Sequence, residues 1–171
     1  LKIFSGEIFS FAPNVYLCCL MSEHLQQIRK KLSQAGLKAT QQRMVVYQAL
    51  LRNMHLHPTA ESVYETVRPD NPSISLGTVY KILDVLVSTG LASKVATDQG
   101  FMRYDANMEQ HNHIYCTNTR EIIDYHDKEL DHLIEEYFRN KKINNLKISR
   151  IQVQISGNKE VSSQSVEIDN Q

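Results

Sequence analysis

The order of predicted elements between residues 22 and 106 constrains the fold of this chain more than any other feature. Four successive segments carry apolar residues at helical spacing, and each begins at a Ser or Thr that can cap a helix: Ser22, Thr40, Thr59 and Ser75. Two β-like runs follow at 91–96 and 101–104, joined by a polar turn at 97–100. Short helices followed by a two-stranded hairpin predict a winged helix-turn-helix domain, a DNA-binding architecture.

The pattern changes after residue 107. Two short strands are predicted at 113–116 and 121–125, then an amphipathic helix from Leu130 to Phe138, then a strand where apolar residues alternate from Ile151 to Ile155. We therefore predict an α+β chain, with an N-terminal winged-helix DNA-binding domain at 22–106 and a C-terminal α/β domain at 107–157. A unit of about fifty residues buries little core by itself, which predicts that this second domain dimerises.

The two ends of the chain are predicted to lie outside both domains. Residues 1–21 are aromatic-rich, interrupted by Gly6 and Pro13, and fit the pattern of a signal peptide poorly, so we expect a non-native or flexible extension before Met21. Residues 158–171 are polar and are expected to be disordered. No apolar run reaches membrane-spanning length, and the odd number of cysteines, three, favours a reducing, cytoplasmic location.

Charge is unevenly distributed along the chain, although 19 basic residues balance 19 acidic ones overall. Zero net charge excludes a histone-like basic protein. From residue 23 to 106, however, there are ten basic and seven acidic residues, whereas acidic residues are in excess after 107. A basic front half favours an anionic partner for the predicted winged-helix domain.

The fourth predicted helix, 75–89, is the expected recognition helix. The second helix of a helix-turn-helix lies in the major groove and reads bases from its N-terminal part. Its apolar stripe faces inward, which leaves on the outer face Leu76, Gly77, Thr78, Tyr80, Lys81 and Asp84. Hydroxyls can contact phosphates, and a lysine can reach guanine or phosphate. The hairpin offers Lys94 and Arg103 to the flanking DNA backbone, although these charges could also be solvated surface residues.

Histidines and carboxylates form a second candidate site. His111 and His113 are two residues apart at the head of a predicted strand, where both imidazoles point to the same side and can face one metal. Asp105 ends the hairpin, Asp124 ends the next strand, and His57 precedes the third helix. A mixed set of imidazoles and carboxylates suits iron(II), manganese(II) or zinc, rather than soft thiolate chemistry.

Each of these residues also has a purely structural interpretation. His57 can be a surface residue or a helix-entry cap, an H-x-H pair also occurs in loops, and Asp105 and Asp124 can be turn residues. The remaining histidines are predicted to lie on the surface: His24, His55, His126 and His132.

Several short motifs occur in a fixed order, and together they carry a resemblance. They are T-x-Q-R (40–43), H-P-T-A-E (57–61), S-x-x-T-V-Y (75–80), R-Y-D (103–105), H-x-H-x-x-C (111–116) and I-I-D (122–124). From Ser22 to about Gly157 the chain resembles the ferric uptake regulator (Fur) family of bacterial metal-dependent repressors. The resemblance implies a homodimer on a palindromic, AT-rich operator in double-stranded DNA. It also implies one regulatory metal per subunit, held between the domains by His57, Asp105, His111, His113 and Asp124.

The same motifs add candidate DNA contacts and suggest a branch of the family. Thr40, Arg43 and Ser75 join the DNA-contacting residues predicted above. Aspartates at both 105 and 124 are more similar to the peroxide-responsive PerR branch than to iron-sensing members, in which glutamates are usual. The resemblance implies that iron(II) reacts with peroxide and that a ligand histidine, His57 or His111, is oxidised.

One departure from the family concerns a structural zinc held by two C-x-x-C pairs. Cys116 matches the first cysteine, but Thr119 stands where its partner belongs, and no cysteine follows Gly157. Four thiolates cannot be assembled from one, so we predict that this zinc is absent. The dimerisation unit must then be held by packing of the 130–138 helix and the 151–155 strand.

The leading hypothesis is a metal-dependent, DNA-binding transcriptional repressor that responds to peroxide through an iron(II) or manganese(II) site. In a purified sample of the protein, zinc is a third metal that can occupy this site. Such a protein is not an enzyme and needs no membrane or small-molecule substrate. The alternatives are an iron- or zinc-sensing Fur-type repressor of metal uptake, a winged-helix protein without a regulatory metal, and a small metalloenzyme that uses the His/Asp site.

Overall fold

The first helix is longer than its sequence pattern predicts. The computed structural model describes residues 13–97, 100–139, 141, 143–148 and 150–160, with side chains from residue 23 onward. Helix α1 spans Pro13–Gln34, so the prediction that it begins at Ser22 is wrong. Proline is tolerated in the first turn of a helix, where a backbone N–H has no helical partner. Residues 1–12 of the predicted extension lie outside the described part of the chain.

Three further helices complete the N-terminal domain: α2 (Gln41–Arg52), α3 (Ala60–Val67) and α4 (Leu76–Ser88). The caps predicted for them are confirmed, because the side chains of Thr40, Thr59 and Ser75 each accept the backbone N–H three residues further on. Their apolar faces pack into one core whose fully buried side chains include Leu32, Tyr47, Leu50, Val63, Leu83 and Leu86. None of the helices in the described ranges combines the length and hydropathy needed to cross a bilayer.

The predicted wing forms and is attached to the segment that precedes α3. Strands β1 (Ser93–Ala96) and β2 (Met102–Asp105) pair antiparallel, with Ser93 opposite Asp105. The backbone N–H of Tyr104 donates to the carbonyl of Pro58 at 3.0 Å, and Thr59 forms a bridge with Arg103. These bonds place the end of β2 beside the residue just before Pro58, namely His57. Two residues of the predicted turn, 98 and 99, lie outside the described residues.

The C-terminal domain is a three-stranded sheet in the order β4-β3-β5. The two predicted strands form as β3 (Asn112–Cys116) and β4 (Ile122–Tyr125), which pair antiparallel, and β5 (Gln154–Gly157) lies parallel to β3. The strand predicted from Ile151 therefore begins later. One reason is that the N–H of Val153 donates to the side-chain oxygen of Asn112 at 3.0 Å, where a ladder would use a backbone carbonyl.

The amphipathic helix α5 (Lys128–Arg139) forms as predicted but is only loosely packed against the described part of the chain. None of its residues is buried, and Leu133 is 62% exposed and Tyr137 56% exposed. That this helix holds the dimerisation unit together by packing stays a prediction. Its apolar face is left for a partner surface.

Beyond β5 the chain stays attached to the sheet for a short distance. Asn118 exchanges two hydrogen bonds of 2.9 Å with the backbone of Lys159, so the predicted disordered tail does not begin at residue 158. Residues 161–171 of that tail lie outside the described residues. The absence of a four-cysteine zinc site stays a prediction, and Cys116 is buried without a disulfide partner.

Candidate metal centre

All five predicted ligands converge at the junction of the two domains. His57 lies between a 3-10 turn (Met54–Leu56) and α3, and Asp105 ends β2. His111 and His113 lie just before and within β3, and the β3–β4 register pairs His113 directly with Asp124. Two ligands thus come from the winged-helix domain and three from the C-terminal sheet.

Their donor atoms lie within a few ångströms of one another. His57 Nε2 is 2.9 Å from Asp124 Oδ1, and His111 Nε2 is 3.1 Å from Asp105 Oδ2. The Nε2 atoms of His111 and His113 are 3.0 Å apart, and His113 Nε2 lies 3.7 Å from Asp105 Oδ2 and 3.8 Å from Asp124 Oδ1. The three histidines and Asp105 are at most 2% exposed, whereas the side chain of Asp124 is 28% exposed.

The buried polar atoms at this centre fit a divalent cation. Three of the atoms that could bind a metal are buried and have no hydrogen-bond partner among the described residues: His57 Nε2, Asp105 Oδ2 and Asp124 Oδ1. Buried polar atoms without partners are costly, so a site that keeps several of them together implies another binding partner. Ligands on a transition metal at about 2.0–2.2 Å lie roughly 3–4 Å apart, which matches the distances above. Three nitrogens and two oxygens suit iron(II), manganese(II) or zinc.

The candidate ligands are oriented by hydrogen bonds with neighbouring groups that do not themselves face the metal. Nδ1 of His111 lies 2.8 Å from the carbonyl of Glu109, an acceptor, so this nitrogen carries the proton and Nε2 is left with its lone pair for a metal. The backbone N–H of Asn107 donates to Asp105 Oδ1 at 2.7 Å, and its side-chain amide donates to Asp124 Oδ2 at 3.2 Å. Gln152 Nε2 lies 3.1 Å from His113 Nδ1.

The electrostatics favour the protonation states that a metal requires. Burial lowers the pKa of His57, and this outweighs the attraction of Asp124 and Asp105, so the imidazole is neutral at pH 7. Burial alone would raise the pKa of Asp105, but contacts with His113 and the Asn107 amide, with His111 and His57 nearby, hold it below its ordinary value. Neutral imidazoles and ionised carboxylates are the forms that bind metal.

Sequence reasoning missed Asn107 and Gln152. Asn107 follows Asp105 by two residues, which is the spacing of a turn in which an aspartate accepts a backbone N–H. That spacing was the available signal for Asn107. No local signal marks Gln152, because it reaches His113 only after β5 has paired with β3. The four histidines assigned to the surface, His24, His55, His126 and His132, are exposed in the structure.

On the recognition helix, the predicted inside and outside faces are separated as expected. Val79, Ile82 and Leu83 are buried. On the outer face, Gly77, Tyr80 and Lys81 are exposed and Thr78 is half-buried. Tyr80 donates a hydrogen bond to Glu61 of α3, and Lys94 of the wing pairs with Asp84 of α4 at 2.8 Å. The recognition helix is thus tied by polar contacts to both of its neighbours.

Three other predicted DNA contacts have intramolecular roles in the structure. Thr40 and Ser75 cap helices, and Arg43 Nη1 donates to the carbonyl of Lys38 at 2.9 Å. Their positions remain exposed or half-exposed.

Arg103 is a fourth predicted DNA contact whose side chain has an intramolecular role in the structure. Its guanidinium donates to the carbonyls of Leu56, His57 and Arg120, at the junction between the domains. The physical reason is the β2 pleat, which directs residues 103 and 105 to the same side of the strand, and Asp105 belongs to the metal centre.

Comparison with known proteins places the chain among regulators. The model of the ferric uptake regulator family matches residues 34–166. The peroxide-responsive repressor PerR of Staphylococcus aureus (strain Mu50) is 33% identical over 112 residues, which cover 65% of this chain and 75% of that protein.

Solved structures agree in fold. The ferric uptake regulator from Pseudomonas aeruginosa, determined with manganese, matches with a TM-score of 0.67 and 26% identity over 78% of this chain and 98% of that one. The Campylobacter jejuni peroxide stress regulator matches with a TM-score of 0.57 and 27% identity over 81% of this chain and 97% of that one. The predicted α+β fold is confirmed. The prediction of a regulator rather than an enzyme is also confirmed, because the members of the matched family are transcriptional regulators. The chain therefore belongs to the ferric uptake regulator family, whose members are metal-responsive transcriptional regulators.

Proposed function

We propose that this chain is a metal-dependent transcriptional repressor that binds palindromic DNA in the cytoplasm as a homodimer. One observation carries the proposal: buried ligands without hydrogen-bond partners, from both domains, face one another across the domain junction. His57 and Asp105 belong to the winged-helix side, and His111, His113 and Asp124 belong to the C-terminal sheet. A centre of this composition links the two domains directly.

The mechanism follows from this division of ligands. A divalent cation, when bound, would supply positive charge beside the buried carboxylate of Asp105 and the partly buried carboxylate of Asp124. His57 and Asp105 can bind the same cation as His111, His113 and Asp124 only when the winged-helix domain lies against the C-terminal sheet. Binding therefore favours the closed arrangement, because the ligand shifts the population toward the conformer that it binds more tightly. In a dimer, this arrangement sets the spacing of the two α4 helices on a palindromic operator.

We further propose that peroxide relieves repression through the iron(II) form. Both carboxylates are aspartates, and two of the proteins similar to this chain are named for their response to peroxide. Iron(II), when bound, supplies the electron that reduces peroxide. His57 and His111 each lie about 3 Å from a carboxylate oxygen of the centre, and oxidation of either imidazole would remove a ligand. Iron or zinc sensing without a peroxide response is the second candidate, since the similar Pseudomonas aeruginosa protein is a ferric uptake regulator.

The first test is an anaerobic titration of the chain onto an AT-rich palindromic duplex with iron(II), with manganese(II) and with chelator, followed by peroxide. We expect either metal to promote binding and peroxide to release only the iron form. Metal-promoted binding that ignores peroxide would favour the metal-uptake regulator. Binding that is indifferent to chelator would overturn the metal-dependent mechanism.

Two variants and one control locate the effect at the proposed centre. His57→Ala and Asp124→Ala each remove a ligand, so we expect both to abolish the metal dependence of DNA binding. The loss should exceed the ~10–100-fold change typical of outer-sphere substitutions. His55→Ala is the matched control, because His55 is exposed and lies two residues from His57. If His55→Ala removed the metal dependence of DNA binding to the same extent, the effect of His57→Ala would not be specific to the proposed metal centre.

A further inference from the structure

Arg103 connects both domains through a single side chain. Its Nη1 donates to the carbonyl of His57 at 3.2 Å and to that of Leu56 at 3.4 Å. Its Nη2 donates to the carbonyl of Arg120 at 3.3 Å. The first two acceptors belong to the segment that leads into α3, and the third to the turn between β3 and β4. One guanidinium therefore bridges the wing, the segment before α3 and the C-terminal sheet.

Two of these carbonyls belong to residues in the left-handed region of backbone space. His57 has φ 45° and ψ 65°, and Arg120 has φ 62°. For residues with a Cβ this conformation is costly and persists only where surrounding contacts hold it. His57 is itself a proposed ligand, and Arg120 lies two residues before β4, the strand that carries Asp124.

We propose that Arg103 is a positioning residue of the metal centre, which holds the carbonyls of His57 and Arg120 so that His57 and Asp124 meet from opposite domains. This inference rests on the proposed function, since it assigns the closed arrangement to a particular side chain. The contact that Arg103 would support is that of His57 with Asp124, whose Nε2 and Oδ1 atoms lie 2.9 Å apart.

The chemistry of the side chain suits this role. Guanidinium presents several N–H donors in a rigid plane, so it can serve three carbonyls at once, whereas a lysine ammonium is a point charge on a flexible stem. Arg103 is also half-buried, and it lies two residues from Asp105 on the same side of β2. Strand β2 thus provides the proposed ligand Asp105 and also Arg103, the residue that would position His57.

The test measures metal binding in the absence of DNA, because a residue that only contacts phosphate leaves that quantity unchanged. Full-length Arg103→Met and Arg103→Lys are titrated with cobalt(II), and the visible absorption of the bound ion is recorded. We expect Arg103→Met to weaken cobalt(II) binding about tenfold or more, the size typical of lost outer-sphere support. The absorption spectrum should change toward that of His57→Ala. Arg103→Lys should recover only part of the affinity.

Arg68→Met is the matched control. Arg68 also has an intramolecular partner, Glu65 at 3.7 Å, but it lies just after α3, and neither residue is part of the metal centre. Its cobalt(II) affinity and spectrum should equal those of the unmodified chain. If Arg103→Met does not fold, as judged by circular dichroism, Arg103→Lys carries the test alone.

Two results would overturn the inference. One is unchanged cobalt(II) affinity and spectrum in the folded Arg103 variants. The other is full affinity together with weaker DNA binding and a salt dependence reduced by about one phosphate contact, which would identify Arg103 as a DNA contact instead. The proposed function fails separately, if the unmodified chain binds DNA equally well with metal and with chelator.

Discussion

At the scale of single residues, the affinity of the centre depends on side chains that are not ligands. Gln152 is the clearest case, because its amide nitrogen lies 3.1 Å from His113 Nδ1 and 3.3 Å from the carbonyl of His111. When His113 binds a metal through Nε2, its Nδ1 carries the proton and needs an acceptor. The amide oxygen of Gln152 can provide that acceptor if the amide group turns, since the two orientations have nearly the same shape.

This geometry predicts opposite effects for two substitutions. Gln152→Leu removes the outer-sphere partner and should weaken metal binding about tenfold. Gln152→Glu provides a carboxylate that accepts from Nδ1–H, makes the imidazole a better ligand, and should bind metal more tightly than Gln152→Leu does. Competition with a chelator of known affinity measures both. If Gln152→Glu binds no better than Gln152→Leu, the amide does not act on His113.

At the scale of elements, the recognition helix is joined to α3 by one hydrogen bond, from Tyr80 to Glu61. That bond holds the pKa of Glu61 below its ordinary value of 4.5 and raises the pKa of Tyr80. Since the folded state holds the Glu61 proton less tightly than the unfolded state, the contribution to stability is present above pH 4.5. It is lost as the pH falls through the folded pKa.

Tyr80→Phe should therefore destabilise the chain at pH 7 by about 0.5 kcal/mol, a small value because the pair is exposed. The difference from the unmodified chain should shrink as the pH falls below 4.5. Urea unfolding between pH 3.5 and 7 measures it. In a Glu61→Gln background the same substitution should show no such pH dependence, and persistence of the pH dependence there would assign it to other groups.

A second link between elements joins the β3–β4 turn to the residues after β5. Asn118 exchanges two hydrogen bonds with the backbone of Lys159, and the ammonium of Lys159 pairs with Glu121 at 2.9 Å. The family resemblance assigns one pair of cysteines to each of these segments. In this chain the first segment has only Cys116, with Thr119 in the position of its partner, and the second has no cysteine. Polar contacts thus join two segments that a structural zinc would hold in other family members.

Asn118→Ala should lower the free energy of unfolding by about 1 kcal/mol, because it removes two exposed hydrogen bonds. Asn118→Asp keeps the oxygen that accepts the Lys159 N–H and loses only the donor, so roughly half of that loss is expected. Urea unfolding of the metal-free chain compares the three proteins. Equal stability of all three would mean that the contacts with Lys159 contribute nothing measurable.

At the scale of the whole molecule, α5 has an apolar face that the described part of the chain leaves largely uncovered. The face includes Leu133 and Tyr137, each more than half exposed, with Leu130, Ile134 and Phe138 partly buried beside them. The family is dimeric, and this helix is the surface that we assign to the second copy.

Leu133→Glu should therefore weaken dimerisation at least about tenfold, since burying one leucine contributes ~1.5–3 kcal/mol. DNA binding should fall with it, because a palindrome needs both recognition helices. Sedimentation equilibrium measures the dimer, and His132→Glu, an exposed residue next in sequence, is the control. A Leu133→Glu protein that remains as dimeric as the control would place the interface elsewhere.

Local patterns in the sequence determined the elements and the chemistry of the site. The caps at Thr40, Thr59 and Ser75, the inward face of α4 and the apolar stripe of α5 follow from spacing along one helix or turn, which depends on near neighbours alone. The five ligands were also predictable as residue types, from an H-x-H pair and the motifs around His57, Asp105 and Asp124.

Only the tertiary structure decided how these parts meet. The parallel pairing of β5 with β3 brought Gln152 to His113, and the bond from Tyr104 to Pro58 brought His57 to Asp105. The same assembly placed the guanidinium of Arg103 at the domain junction. Most of these contacts join residues about 40–50 positions apart, and the one between Arg103 and Arg120 spans 17. Their partners depend on strand pairing and burial across the whole chain, which no local periodicity encodes.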